Sequence, residues 1–69
     1  MKKIKYPELI GEMAKHGENQ KALAKILGTT TASISRRLSG KTPWTIGEID
    51  ILCKHYSRNY HELFRTNEA

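Results

Sequence analysis

Between Leu27 and Thr31 the chain has three residues, Gly28-Thr29-Thr30, in which to stop one helix and start another. Upstream, Leu23, Ala24 and Leu27 recur at helical spacing; downstream, Ile34 and Leu38 do the same. Asn19 is placed to cap the first of these helices, over 20–27, by accepting from an orphan backbone N–H. Thr30 is placed to cap the second, which ends near Leu38, before Gly40. Gly28 supplies the left-handed residue that closes the first helix without a Cβ penalty. Two helices joined by so short a glycine turn must cross steeply, which is the helix-turn-helix arrangement.

The flanking segments also read as helices, and no run has the period of a strand. A helix over 7–15 starts with Pro7 in its first position and Glu8 near the positive end of its dipole, and stops at His16-Gly17. Its apolar stripe is Leu9, Ile10, Met13 and Ala14. Thr45 and Glu48 form a capping box, with Trp44 and Ile49 at the spacing of a hydrophobic staple. The helix that follows should bury Ile46, Ile49, Leu52, Cys53 and Tyr56. After the turn Ser57-Arg58, a short last helix has Asn59 as cap and Glu62 three residues on. The expected fold class is therefore all-α: a compact five-helix domain over residues 1–69, with its helix-turn-helix core at 19–41. The tail over 65–69 is polar and expected to fray.

Charge separates the middle of the chain from its ends. Of twelve basic residues, five (Lys21, Lys25, Arg36, Arg37 and Lys41) fall within 19–47, which has no Asp or Glu. The remaining seven balance the seven acidic residues, so the net charge of +5 resides in that segment. A localised positive field attracts a polyanion and releases its counterions on contact. The basic start, with Lys2, Lys3 and Lys5, either tracks such a polyanion or is a solvated terminus.

The second helix of the pair has an unusual outward face. With Ile34 and Leu38 inward, Ala32 and Arg36 point most directly outward, flanked by Ser33, Ser35 and Ser39. Small side chains let a helix approach base edges in a major groove about 12 Å wide. Arginine offers a fork that matches the O6 and N7 acceptors of guanine, and Thr31 and Ala32 offer methyl groups to thymine. Arg36 is read as a contact to a base or to a phosphate. Arg37, nearer the buried edge, is read as a contact to the DNA backbone or as packing, and Ser35 as a contact to the DNA backbone.

The run Gln20-x-x-Leu23-Ala24-x-x-Leu27-Gly28-Thr29-Thr30-x-x-Ser33-Ile34-Ser35-x-x-x-x-Gly40-Lys41 resembles the lambda-repressor-like helix-turn-helix family, which includes phage Cro and CI repressors. The resemblance covers nearly the whole chain, and residues 41–49 also resemble small phage-encoded repressor-like proteins of Gram-positive hosts. It implies base contacts from Thr31, Ala32 and Arg36, and a contact to a base or to the backbone from Ser33. It implies phosphate contacts from Gln20, which in relatives also braces the recognition helix, and from Lys41 and Thr42 in the loop after that helix. Asn19 and Thr30 would aim helix N-terminal amides at phosphates. Relatives often dimerise through the last helix, which points to Tyr60, Leu63 and Phe64 as a dimer interface or, equally, as core. One departure stands out: many relatives pair a glutamate two residues before the glycine with an arginine of the first helix. Here those positions hold Leu38 and Met13. An apolar contact in place of a buried ion pair removes the desolvation cost of two charges.

These features point to a DNA-binding transcriptional regulator, Cro-like in size, acting as a homodimer on a two-fold operator in the cytoplasm of a bacterial host, at the nucleoid when bound. Repressor is preferred over activator. The alternative is a helix-turn-helix protein-interaction module, such as an antirepressor or antitoxin. No paired carboxylates, Ser-His-Asp set or phosphate loop suggests an enzyme, and no cofactor or small-molecule ligand is implied. The single cysteine, Cys53, leaves no intramolecular disulfide and reads as a small buried hydrophobe. His16, His55 and His61 lack metal-site spacing. No stretch is long and apolar enough for a signal peptide or a membrane span.

Overall fold

The computed structural model describes residues 5–66. Its described residues form five α-helices and no strand: α1 (Pro7–Lys15), α2 (Gln20–Leu27), α3 (Thr31–Leu38), α4 (Ile46–Tyr56) and α5 (Tyr60–Leu63). The helix ends lie where local chemistry puts them. Asn19 Oδ1 accepts from Ala22 N at 2.9 Å, Thr30 Oγ1 from Ser33 N at 3.1 Å, and Asn59 Oδ1 from Glu62 N at 2.9 Å. The capping box of α4 is complete, with Thr45 N donating to Glu48 Oε1 and Glu48 N to Thr45 Oγ1. Gly28 closes α2 with φ +69°, and its N–H returns to the last turn. The turn between α4 and α5 instead places Ser57 at φ 54°. Lys2 and Lys3 of the basic start, and residues 67–69 of the tail, lie outside the described residues.

The core is a meeting point of all five helices. Leu9, Leu23, Ile34, Leu52 and Leu63, one from each helix, are fully buried. Met13, Ala24, Tyr56 and Phe64 complete it, with Ile10, Leu27, Leu38, Trp44, Ile49 and Cys53 packed around it. At one end, the rings of Tyr6, Trp44 and Phe64 meet edge-on in a triangle, with centroids 5.5–6.3 Å apart. This triangle ties the segment before α1 to the α3–α4 loop and to the end of α5. Among the described residues no helix is long and apolar enough to cross a membrane.

Two expectations about burial are corrected, and one open alternative is decided. Ala14 is exposed and Glu12, 7% exposed, is buried in its place. Five residues from Leu9 at 100° each is about 140° around the helix, too far to share its face. Ile46 is 86% exposed, because it opens α4 about 120° around from Leu52. Leu63 and Phe64 belong to the core of this chain and are not free to meet a second subunit; of the three residues read as an interface, Tyr60 alone is exposed, at 53%.

Glu12 tolerates burial because Arg58 finds it. Arg58 Nη1 lies 2.6 Å from Glu12 Oε2, Nη2 lies 3.2 Å from Glu8 Oε1, and Nε lies 3.3 Å from Glu62 Oε1. One guanidinium thus joins α1 to α5. A second carboxylate, Glu18 in the α1–α2 turn, accepts a 2.6 Å hydrogen bond from the Tyr56 hydroxyl and lies 2.8 Å from His55 Nε2. Burial alone would raise the pKa of Glu12, but Arg58 and Lys15 together hold it below the ordinary 4.5. The Tyr56 hydroxyl, helped by His55 against the effect of burial, holds Glu18 below the same value.

A carboxylate whose folded pKa is lowered stabilises the fold above its unfolded pKa, and that contribution is lost as pH falls through the folded value. The melting temperature is therefore expected to fall as pH drops below 4.5, with Glu12→Gln and Glu18→Gln each flattening the fall. Thermal melts followed by circular dichroism across that range check this, and an unchanged profile in both variants would contradict it.

Candidate nucleic-acid interface

Helices α2 and α3 pack against each other, and their capped N-termini flank an open concavity of about 510 Å³. Lys21 and Lys25 line it on one side and the Thr29-Thr30-Thr31 turn on the other. Asn19 and Thr30 spend their side-chain oxygens on the caps, which leaves other first-turn N–H groups of each helix pointing outward. Positive dipole ends, free amides and two lysines together make a surface suited to phosphate oxygens.

Ile34 sets the orientation of α3. With that side chain fully buried and Leu38 packed beside it, Thr31, Ala32, Ser35 and Arg36 are exposed, as the helical phase requires. Ser33 is half-buried, and its hydroxyl accepts from Thr30 Oγ1 at 3.0 Å, so it is partly committed to the turn. Gln20 is exposed at the start of α2 and makes no side-chain hydrogen bond to α3 among the described residues, unlike the brace expected from relatives. The end of α3 is tightly closed. The Arg36 carbonyl accepts from Lys41 N at 2.9 Å, Thr42 N at 3.3 Å and Ser39 Oγ at 3.0 Å. That closure fixes Lys41 and Thr42 beside the exposed face of the helix.

Arg37 does not join this surface. Its Nε lies 2.9 Å from Glu48 Oε1, with the two side chains only 15% and 14% exposed. The N–H is out of line for a hydrogen bond, so the contact is a close ion pair. Glu48 thus both caps α4 and neutralises the arginine of α3, locking the two helices together. The phosphate contact expected of Arg37 is corrected to this structural role. Met13 is buried and Leu38 packs against the same core, so the end of α3 rests on apolar contact, with Arg37–Glu48 as its ion pair.

The charges of the described residues are sorted in space. Lys15 pairs with Glu12, Lys54 with Asp50, and Arg58 with three glutamates, all outside the helix-turn-helix. Lys21, Lys25, Arg36 and Lys41 make no ion pair among the described residues. No group of three His, Cys, Asp or Glu side chains among the described residues is placed to hold a metal ion. The ion pairs of Arg37, Arg58 and Glu18 escaped the sequence reading. Arg58 lies 46 and 50 residues from its partners on α1, and Tyr56 lies 38 from Glu18, separations at which helical periodicity carries no signal.

Comparison with known proteins agrees with this geometry. No curated protein and no solved structure matches the chain. The profile of the BetR domain matches residues 9–69, which takes in all of α2 to α5 and most of α1. That family consists of small helical, helix-turn-helix-like domains to which DNA-binding regulation is assigned. The chain belongs to the BetR domain family.

Proposed function

We propose that this domain is a sequence-specific binder of double-stranded DNA that represses transcription by occupying an operator, in the manner of phage Cro-like proteins and without catalysis. The observation that carries this reading is the sorting of charge: Lys21, Lys25, Arg36 and Lys41 of the helix-turn-helix have no carboxylate partner among the described residues, whereas Lys15, Lys54 and Arg58 outside it are paired. In this reading α3 enters the major groove, with Thr31, Ala32, Ser33 and Arg36 at base edges. Asn19, Gln20, Thr30, Ser35, Lys41 and Thr42 meet phosphates and fix its register.

The reading includes a homodimer on a two-fold site, with which the size of the domain is compatible. The domain measures 31 × 25 × 24 Å, so two copies fit beside one another on half-sites one DNA turn apart, about 34 Å. Tyr60 is the exposed large apolar side chain of α5 available to such a contact.

The test is selection of random duplex DNA by the purified protein, followed by binding at several salt concentrations. An enriched two-fold motif and a steep loss of affinity with salt are expected. Lys41→Ala should weaken all sequences alike and flatten the slope of log K against log salt by about one unit. Binding without enrichment or salt dependence would overturn the reading and favour a module that binds another protein.

A further inference from the structure

The residue before the aromatic triangle extends the proposed interface beyond the helix-turn-helix. Tyr6 is held edge-on by Trp44 and Phe64, and this anchor fixes the position of its neighbour Lys5. The Lys5 side chain lies across Gly40, at the end of α3. A Cβ at Gly40 would stand 2.9 Å from Lys5 Cδ, 3.1 Å from Cε and 3.7 Å from Nζ. Gly40 also has φ +86°, which L side chains rarely adopt, so its backbone conformation calls for glycine, and the bare backbone there leaves room for the lysine stem. The stem lies over the Gly40 backbone, and the ammonium lies beside the residue that precedes Lys41 in the chain. Lys5 makes no ion pair with any described carboxylate.

We infer that Lys5 is a phosphate-contacting residue of the DNA interface, seated on Gly40 and aligned with Lys41 along one stretch of the DNA backbone. This rests on the proposed function of the helix-turn-helix. A lysine stem is flexible and loses rotamer freedom when fixed. Packing across a glycine and anchoring through Tyr6 meet much of that loss before DNA arrives. The same position brings a positive charge to the negative end of the α3 dipole, which stabilises the helix but does not depend on DNA. The two roles respond differently to experiment.

The test uses mixed-sequence duplex DNA and the full chain, with folding confirmed by circular dichroism at the assay temperature. Lys5→Met keeps the apolar stem and removes the charge. It is expected to flatten the slope of log K against log salt by about one unit for every sequence tried. Lys5→Arg is expected to restore the slope. Lys54→Met removes the same charge from a lysine already paired with Asp50 and is expected to leave the slope in place. A slope unchanged in Lys5→Met but flattened in Lys41→Ala would overturn the inference and leave the interface standing. The same result with a lowered melting temperature would reduce Lys5 to a dipole partner of α3. Wild-type binding with no salt dependence would overturn the proposed interface itself, whatever Lys5 does.

Discussion

Ile34→Ala is expected to be the most damaging single substitution for both folding and DNA binding. Ile34 is the one fully buried side chain of α3 and fixes which face of that helix turns outward. Truncating a buried isoleucine to alanine costs about 2–5 kcal/mol through lost transfer energy and the cavity left behind. At roughly 0.05–0.15 kcal/mol per residue, a domain of this size has only about 3–10 kcal/mol of stability to lose. The variant should therefore lose a large share of its stability, with its urea midpoint far below that of the wild type. Ile34→Val keeps the shape and should cost only about 0.5–1.5 kcal/mol, which keeps the comparison measurable if the alanine variant cannot be purified. Ser35→Ala, one residue along on the exposed face, should leave the midpoint nearly unchanged. If the alanine variant shifted stability by less than about 0.5 kcal/mol, the value typical of surface changes, Ile34 would not be what seats α3.

How far such a site can be read from the chain alone depends on the range of the interactions that build it. The helix spans follow from short-range chemistry: four begin at a cap residue that accepts from the N–H three residues on, and α1 begins at Pro7 without a side-chain cap. Asn19, Thr30, Thr45 and Asn59 each make the bond that their position implies. The exposed face of α3 was legible for the same reason, since Ile34 and Leu38 set its phase. The errors lie where apolar character was followed without regard to phase or tertiary partners. Ala14 and Ile46 are apolar yet point away from the core, and Glu12 is charged yet buried because a distant arginine turns back to meet it. Leu63 and Phe64 are inside for a related reason: α5 has only four residues, and its sole route to stability is to press them against α1 and α4. Arg37 is the most instructive case. By charge it belongs to the basic segment, and only the position of Glu48, brought back by the α3–α4 loop, removes it from the interface.

That removal isolates Arg36, and Arg36→Ala should be the most revealing change for recognition. Arg36 is exposed and unpaired among the described residues, and it stands on the outward meridian of α3 among alanine, serine and threonine side chains. None of these neighbours offers a long donor, so Arg36 is the group on that face able to make a bidentate bond to guanine. Loss of such a contact costs about 1–3 kcal/mol at the specific site and relaxes one base position. On the selected motif, affinity should fall by roughly five- to 150-fold, the range that corresponds to about 1–3 kcal/mol, while binding to mixed-sequence DNA falls much less. Repeating the selection with the variant should return the same motif with one position, and its two-fold mate, degenerate. Arg36→Lys should recover salt-dependent affinity but not full discrimination, because an ammonium lacks the planar fork. If Arg36→Ala instead weakened every sequence equally, the arginine would be a phosphate clamp, and base readout would pass to Thr31, Ala32 and Ser33 together with the shape of the DNA.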